Sequence, residues 1–259
     1  MALHEFENVS LLITHYNRSR SLERQLTAFR RLDCRFASVV VSDDGSRPEH
    51  LERLHSLQAE FGFRLVTTPV NRGLGNNINK GQHEITSEYT LYVQEDFEPS
   101  GIFPQHFPDA LAFMERDKGL DIIRFYAYFP YPLLRPYGKG FSEMIYRWWN
   151  LNHIKVYMYS DHPHLRRSSF PGKFGRYPEG VRPDLTEYRM ALSFLRKKGR
   201  GLFYDAFTTL FYQKNENDEP STVSRPGWRA SRNPLVLLLR AVYLQFRLIK
   251  ITRDIHFKR

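Results

Sequence analysis

Two hydrophobic periods alternate along most of the chain. Residues 9–14 (VSLLIT), 39–42 (VVVS) and 90–93 (TLYV) are short runs of aliphatic, β-branched and aromatic residues, the pattern of strands buried on both faces. Between them apolar residues recur at helical spacing. Leu22, Leu26 and Phe29 predict a helix over 21–32. Leu51, Leu54, Leu57 and Phe61 predict a second, entered at Ser46 and Pro48 and stopped at Gly62. A strand near 64–68, a short helix over 71–84, a helix over 104–117, a strand over 122–128 and a helix over 185–198 continue the alternation. Strand and helix at this interval predict βαβ units, and hence an α/β fold whose mostly parallel sheet carries helices on both faces.

Two segments break the rhythm. Residues 129–183 are irregular and dense in Pro, Gly, Tyr, Phe, Trp and His, which predicts long loops over a binding surface. At the end of the chain, Asn233-Pro234 supplies an N-cap and a first-turn proline for a helix through LVLLLRAVYLQFRLIKI. Arg240, Gln245, Arg247 and Lys250 interrupt its apolar run, so an amphipathic basic helix is expected rather than a membrane span. The resulting domain scheme is one domain over 1–232, with halves 1–100 and 101–232, followed by the helix 233–259.

Composition narrows the partners. At 259 residues and 41% apolar, the chain can bury a full core. The single Cys34 forbids an intramolecular disulfide, and MALHEFEN lacks a signal-peptide pattern, so a cytoplasmic location is expected. The net charge of +10 lies mostly in the second half and points to an anionic partner. No zinc-finger, helix-turn-helix or RNA-binding signature accompanies it, which argues against nucleic acid. Phosphorylated substrates and anionic lipid remain.

The candidate chemistry sits at strand ends. Asp43-Asp44-Gly45-Ser46 closes one apolar run and Gln94-Glu95-Asp96 closes another. In a parallel sheet both tips emerge at the carboxyl edge, where open α/β sheets bind ligands. Carboxylates there suit a nucleotide ribose and a divalent cation completed by substrate phosphate.

Four segments in order, VSLLITHYNR (9–18), VVVSDDGS (39–46), NRGLGNNINKG (71–81) and YVQEDFEP (92–99), resemble the inverting nucleotide-sugar glycosyltransferases of the GT-A fold, in the large family that includes many bacterial polysaccharide transferases. The resemblance covers the first hundred residues. It implies that Thr14, Tyr16 and Asn17 help hold the nucleotide base while Asp44 accepts from a base N–H, that Asp43 belongs to the same nucleotide-sugar site, and that Asn71 and Gly73 shape its floor. It implies that Gln94 lies at the ribose and that Asp96 ligates Mn²⁺ or Mg²⁺, with Glu95, within the nucleotide-sugar site, or Glu98 as helpers. Two positions depart from the family: Gln94 replaces the first carboxylate of the metal motif, and Ile78 replaces an arginine that faces the diphosphate. Lys214, Arg225, Arg229 and Arg232 are candidate replacements for that charge.

The same resemblance puts the catalytic base near the start of the helix after the variable region, at Glu187 or, second, Asp184. Their spacing also fits a capping box, with Asp as N-cap and Glu at the third helical position. Trp148, Trp149 and His162 are expected to meet the acceptor, beside Tyr157, Tyr159, Asp161 and His164. The implied activity is transfer of a sugar from a nucleoside-diphosphate sugar to a glycan or lipid-linked acceptor in cell-surface polysaccharide synthesis. A nucleotidyltransferase and a non-catalytic glycan-binding protein are the alternatives. For the terminal helix, the alternatives are an anionic membrane surface, its own domain, or a second copy in a homodimer.

Overall fold

The computed structural model describes residues 3–214, 243, 245–246 and 248–255. Its first half follows the predicted alternation: β1 (His4–His15), α1 (Ser19–Arg31), β2 (Cys34–Asp43), α2 (Pro48–Phe61), β3 (Arg64–Val66), α3 (Leu74–His83), β4 (Tyr89–Gln94), β5 (Phe97–Pro99), α4 (Phe103–Arg116) and β6 (Ile122–Arg124). The second half contains β7 (Leu134–Gly138), β8 (Phe141–Met144), β9 (His164–Arg167), α5 (Phe170–Phe174), α6 (Pro183–Arg196), β10 (Gly201–Tyr204) and β11 (Phe211–Gln213). Residues 248–255 are helical.

Nine strands form one sheet in the order β3-β2-β1-β4-β9-β6-β10-β8-β7. From β3 to β4 the neighbours are parallel, as crossover helices require. Beyond β4 the sheet is mixed: β9 runs antiparallel between β4 and β6, β6 and β10 are parallel, and β8 and β7 close the edge antiparallel.

Strand alternation divides the core between the two faces. Leu11 and Ile13 join Leu26, Phe29, Leu57, Phe107 and Met114, so α1, α2 and α4 cover one side. Leu12 and Val40 face Ile78, Phe170, Met190, Phe194 and Ile251, which brings α3, α5, α6 and the C-terminal helix to the other. Gly81 lets α3 lie close to the sheet, because a Cβ there would stand 2.5 Å from Leu12 Cδ1.

The expectation of loops throughout 129–183 needs correction. His164–Arg167 is a central strand whose polar sequence hides it. Arg166 is fully buried, with its guanidinium 5.4–5.5 Å from the rings of Tyr92, Phe170 and Tyr177. The strand expected over 122–128 ends at Arg124. The domain boundary at 232 and the helix start at 233 lie outside the described residues. No helix among the described residues is long and apolar enough to cross a membrane.

Candidate active site

Parallel register brings the predicted motifs to one edge. Thr14 pairs with Ser42 on one side and Gln94 on the other, and His15 pairs with Asp43. Asp43 is then consumed by the fold. Its Oδ1 meets His15 Nδ1 at 2.8 Å and accepts from Ser46 Oγ at 2.5 Å. Its Oδ2 accepts from the Gly45 and Ser46 amides and from Thr67 Oγ1. Burial pushes this carboxyl up, but the bonds from His15 and Ser46 outweigh it and bring it down to about 2. The Arg18 amide donates to His15 Nε2 at 3.2 Å, so Nδ1 carries the proton given to Asp43. Fully buried and bonded on both oxygens, Asp43 organises the strand ends and is not presented to a ligand, contrary to the sequence expectation.

Asp44 joins this edge to the Gly-rich turn. Oδ1 and Oδ2 accept from the Arg72 and Gly73 amides, each at 2.8 Å. Burial raises its carboxyl, opposed by those amides and by Lys80. Gly45 permits the approach: its φ is +69°, and a Cβ would lie 2.5 Å from Val70 C. Asn17, at φ +53°, ties the next loop down, accepting from the Arg47 amide and donating its own amide to Ser46 Oγ. Asn71 Oδ1 accepts from the Gly73 amide at 3.1 Å. Tyr16 is half-buried at the mouth of this edge, whereas Thr14 turns inward to Tyr92 OH at 3.0 Å.

Ile78 is fully buried in the core, in agreement with its lack of a phosphate role. From the same helix, Lys80 reaches the edge and donates to the Asp43 carbonyl at 2.5 Å. Burial lowers its ammonium while Asp43 and Asp44 raise it. Asn76 and Asn79 donate to Glu179 at 2.7 and 2.8 Å, fixing the segment before α6 over α3.

Asp96 lies in a sharp turn between β4 and β5. Its Oδ2 accepts from Gln213 Nε2 at 2.8 Å and stands 3.3 Å from Arg18 Nη1. Glu95 Oε1 is 3.7 Å from the same guanidinium nitrogen. Lys214 donates its amide to the Asp96 carbonyl, while its ammonium pairs with Glu98 at 2.8 Å. Asp96 Oδ1 accepts no hydrogen bond among the described residues. No cluster of three His, Cys, Asp or Glu able to hold a metal occurs among them either. One free carboxylate oxygen fits a divalent cation completed by substrate phosphates, since such cations often take only one or two protein carboxylates. Arg225, Arg229 and Arg232 lie outside the described residues.

An aromatic wall connects Asp96 to the second carboxylate. Gln213 Oε1 accepts from Tyr128 OH at 2.6 Å. Tyr126 and Tyr128 both meet the His162 ring edge-on, with centroids 5.4 and 4.8 Å away. His162 Nδ1 is 3.1 Å from Ser160 Oγ, which donates to Glu187 Oε1 at 2.6 Å. Because the Ser160 proton goes to the carboxylate, His162 Nδ1–H is the donor to Ser160.

Glu187 is half-buried and also accepts from the Asp161 amide at 3.3 Å. The capping-box alternative fails. Arg182 occupies the N-cap position, Pro183 opens α6, and no side chain caps it. Asp184 is 68% exposed and among the described residues pairs only with Arg182, at 3.4 Å, so the structure does not bring it to Glu187's site.

Trp148 and Trp149 are 65% and 59% exposed on the loop after β8, and no contact joins them to either carboxylate among the described residues. Tyr126 and Tyr128, rather than the tryptophans, lie against the His162 ring. His164 is fully buried, and burial with nearby Arg166 holds its imidazole well below its ordinary range, so it is no surface ligand. Sequence reasoning missed Arg18, Lys80, Gln213 and the tyrosine pair. Lys80 had a signal, since it lies one turn beyond Asn76 and Asn77 on α3. Gln213 had none, because only the β5–β11 pairing carries it to Asp96.

The family model described as Glycosyl transferase family 2 matches residues 10–175. A 92-residue stretch is 26% identical to poly-beta-1,6-N-acetyl-D-glucosamine synthase of Staphylococcus epidermidis, covering 36% of this chain and 22% of that protein. The Staphylococcus aureus protein of the same name is 25% identical over 92 residues, with the same coverage. The match thus spans about a fifth of these relatives' length. Among solved structures, S. aureus TarS 1-349 in complex with UDP-GlcNAc gives a TM-score of 0.64 at 16% identity, covering 96% of this chain and 71% of that one. Glucosyl-3-phosphoglycerate synthase from Mycobacterium tuberculosis, in complex with Mn²⁺, UDP and glucosyl-3-phosphoglycerate, gives 0.54 at 12% identity, covering 95% and 79%. These likenesses are of fold, the GT-A glycosyltransferase architecture.

Proposed function

The chain belongs to glycosyl transferase family 2, and on that premise we propose that it transfers a sugar, with inversion, from a nucleoside-diphosphate sugar to a glycan or lipid-linked acceptor of a cell-surface polysaccharide. The observation that carries this reading is the path from Asp96 by hydrogen bonds to Gln213 and Tyr128, by a ring contact to His162, and by hydrogen bonds on to Ser160 and Glu187. It supports the reading by joining Asp96, the proposed donor-end carboxylate, and Glu187, the proposed base, along one aromatic wall.

In the proposed reaction Glu187 takes the proton of the acceptor hydroxyl, the oxygen forms a bond to the anomeric carbon, and the opposite carbon–oxygen bond breaks. The bonding pair leaves on the nucleoside diphosphate. A positioned base supplies roughly 10²–10⁴-fold of the rate. Tyr16 would cover the base, with Asp44 holding the surrounding turn. Arg18 lies beside Asp96 and Glu95 and Lys80 beside Asp43, and both would answer the charge of the diphosphate. Tyr126 and Tyr128 offer apolar faces to sugar C–H groups, with His162 beside them for hydroxyls. Asp96 Oδ1 would hold a divalent cation, Mn²⁺ or Mg²⁺, which supplies further positive charge to the leaving group when bound.

For the C-terminal helix, the reading includes contact with an anionic membrane. Its inner face is already occupied: Leu248 and Ile251 are buried, and Asp254 Oδ2 accepts from Tyr188 OH at 3.0 Å. Tyr243, Phe246 and Ile249 are 53–69% exposed, beside exposed Lys250 and Arg253. Aromatic and aliphatic groups flanked by cations suit a membrane interface near a lipid-linked acceptor.

The deciding experiment is a screen of nucleotide sugars for donor-dependent release of nucleoside diphosphate, with and without Mn²⁺. One donor should be consumed faster when acceptor is added. Glycan binding with no donor turnover would overturn the enzymatic reading, and pyrophosphate release from a nucleoside triphosphate would replace it with nucleotidyl transfer.

A further inference from the structure

Behind Glu187 lies a second carboxyl that no step above uses. Asp161 is 5% exposed, and its own backbone amide donates to Glu187 Oε1. Its Oδ1 accepts from Tyr159 OH at 2.5 Å, and that hydroxyl lies 2.8 Å from Tyr177 OH. Arg166 Nη1 donates to Tyr177 OH, so a buried guanidinium ends the chain. We propose that Asp161 sets the basicity of Glu187: the two residues belong to one hydrogen-bonded cluster, with Asp161 as its buried positioning member and Glu187 as the one that meets the acceptor. This role presupposes that Glu187 is the base.

A buried carboxyl ionises less readily when another negative charge lies close by, because each charge opposes the other. Burial, and then Glu187, push the Asp161 carboxyl up to about 8, against the bond from Tyr159 and the charge of Arg166. The other groups around it hold their protonation through this window. On β4 and along the chain, the phenols of Tyr92, Tyr159 and Tyr177 are pushed up by burial. On β9, His164 is held neutral by burial and Arg166. On β6, Arg124 is lowered by burial only to about 10, opposed by the charge of Glu187, so it stays cationic. His162 is joined to Glu187 through Ser160, so its contribution is separated by substitution.

Ionisation of Asp161 puts a second negative charge beside Glu187, and a carboxylate next to such a charge is the stronger base. Transfer should therefore rise as pH passes through this step.

The test is the pH profile of kcat for the full chain, from about pH 5 to about pH 10, with donor and acceptor saturating. Wild type should show a severalfold rise around pH 8. Asp161→Asn should keep the acid limb and lose that rise, with donor KM unchanged. Tyr159→Phe removes a bond that favours ionised Asp161, so it should move the rise to higher pH. His162→Gln should leave the rise in place. A rise that persists in Asp161→Asn, is absent from wild type, or disappears in His162→Gln would overturn the proposal. If Asp161→Asn does not fold, an unmoved rise in Tyr159→Phe overturns it. Glu187→Gln separates the two levels: retained transfer rejects the base itself, whereas lost transfer with a wild-type profile in Asp161→Asn rejects only the role of Asp161.

Discussion

Ser160 Oγ donates to Glu187 Oε1 across 2.6 Å, joining the loop before β9 to the second turn of α6. A hydroxyl that points at one carboxylate oxygen fixes the rotamer of the glutamate and leaves its other oxygen, Oε2, for a proton. Glu187→Gln should therefore retain fold and donor binding while losing about 10²-fold or more in transfer, because an amide cannot take the acceptor proton. Asp184→Asn should change transfer little, since Asp184 faces solvent. Rates and melting curves of both variants decide between them. A loss confined to Asp184→Asn would move the base.

Asp96→Asn should abolish Mn²⁺-stimulated turnover, since a neutral amide is a weaker ligand for a hard cation. Chelation of wild type should reproduce the effect. The substitution also removes a carboxylate 3.3 Å from Arg18 Nη1, so some loss of stability is expected beside the kinetic effect. Titrating Mn²⁺ against wild type and variant, with melting temperatures read in parallel, separates the two. Equal metal responses would remove Asp96 from the role.

The Asp43 knot should make stability acid-sensitive. A carboxyl brought down to about 2 in the folded chain, against an ordinary value of 3.8, stabilises the fold above the ordinary value. That stability is lost as pH falls through the folded value, and by linkage it amounts to about 2 kcal/mol. Asp43→Asn should be less stable at neutral pH and show a shallower loss between about pH 4 and about pH 2. Denaturant unfolding across this window is the measurement. Parallel wild-type and variant curves would contradict the assignment.

Replacing Tyr243, Phe246 and Ile249 by serine should abolish salt-sensitive co-sedimentation with anionic liposomes, while the docked face through Ile251 and Asp254 keeps the helix in place. Wild type that fails to sediment while remaining folded would discard the membrane role.

Much of this architecture was legible because its causes are local. Leu22, Leu26 and Phe29 repeat at the helical period wherever the chain folds, and Pro48 and Gly62 punctuate α2 through backbone chemistry alone. Asp43, Asp44 and Asp96 could be assigned to one edge because parallel crossovers bring strand ends to the same side. Their division of labour was not legible. Whether a carboxylate faces a ligand or a neighbour depends on donors distant in sequence, such as Thr67 for Asp43, the Arg72 amide for Asp44 and Gln213 for Asp96.

β9 shows the same limit. His164-Leu165-Arg166-Arg167 reads as polar surface until Tyr92, Phe170 and Tyr177 surround one arginine with rings. The exposed Trp148 and Trp149 drew attention by residue type, but Tyr126 and Tyr128 hold the wall because the β6 exit and the β5–β11 pairing set them against His162 and Gln213. Sequence determined the elements and the chemistry available at their ends, since periodicity and residue type are properties of the chain. Tertiary structure decided which of those groups meet, since hydrogen bonds and desolvation depend on neighbours that only the folded arrangement supplies.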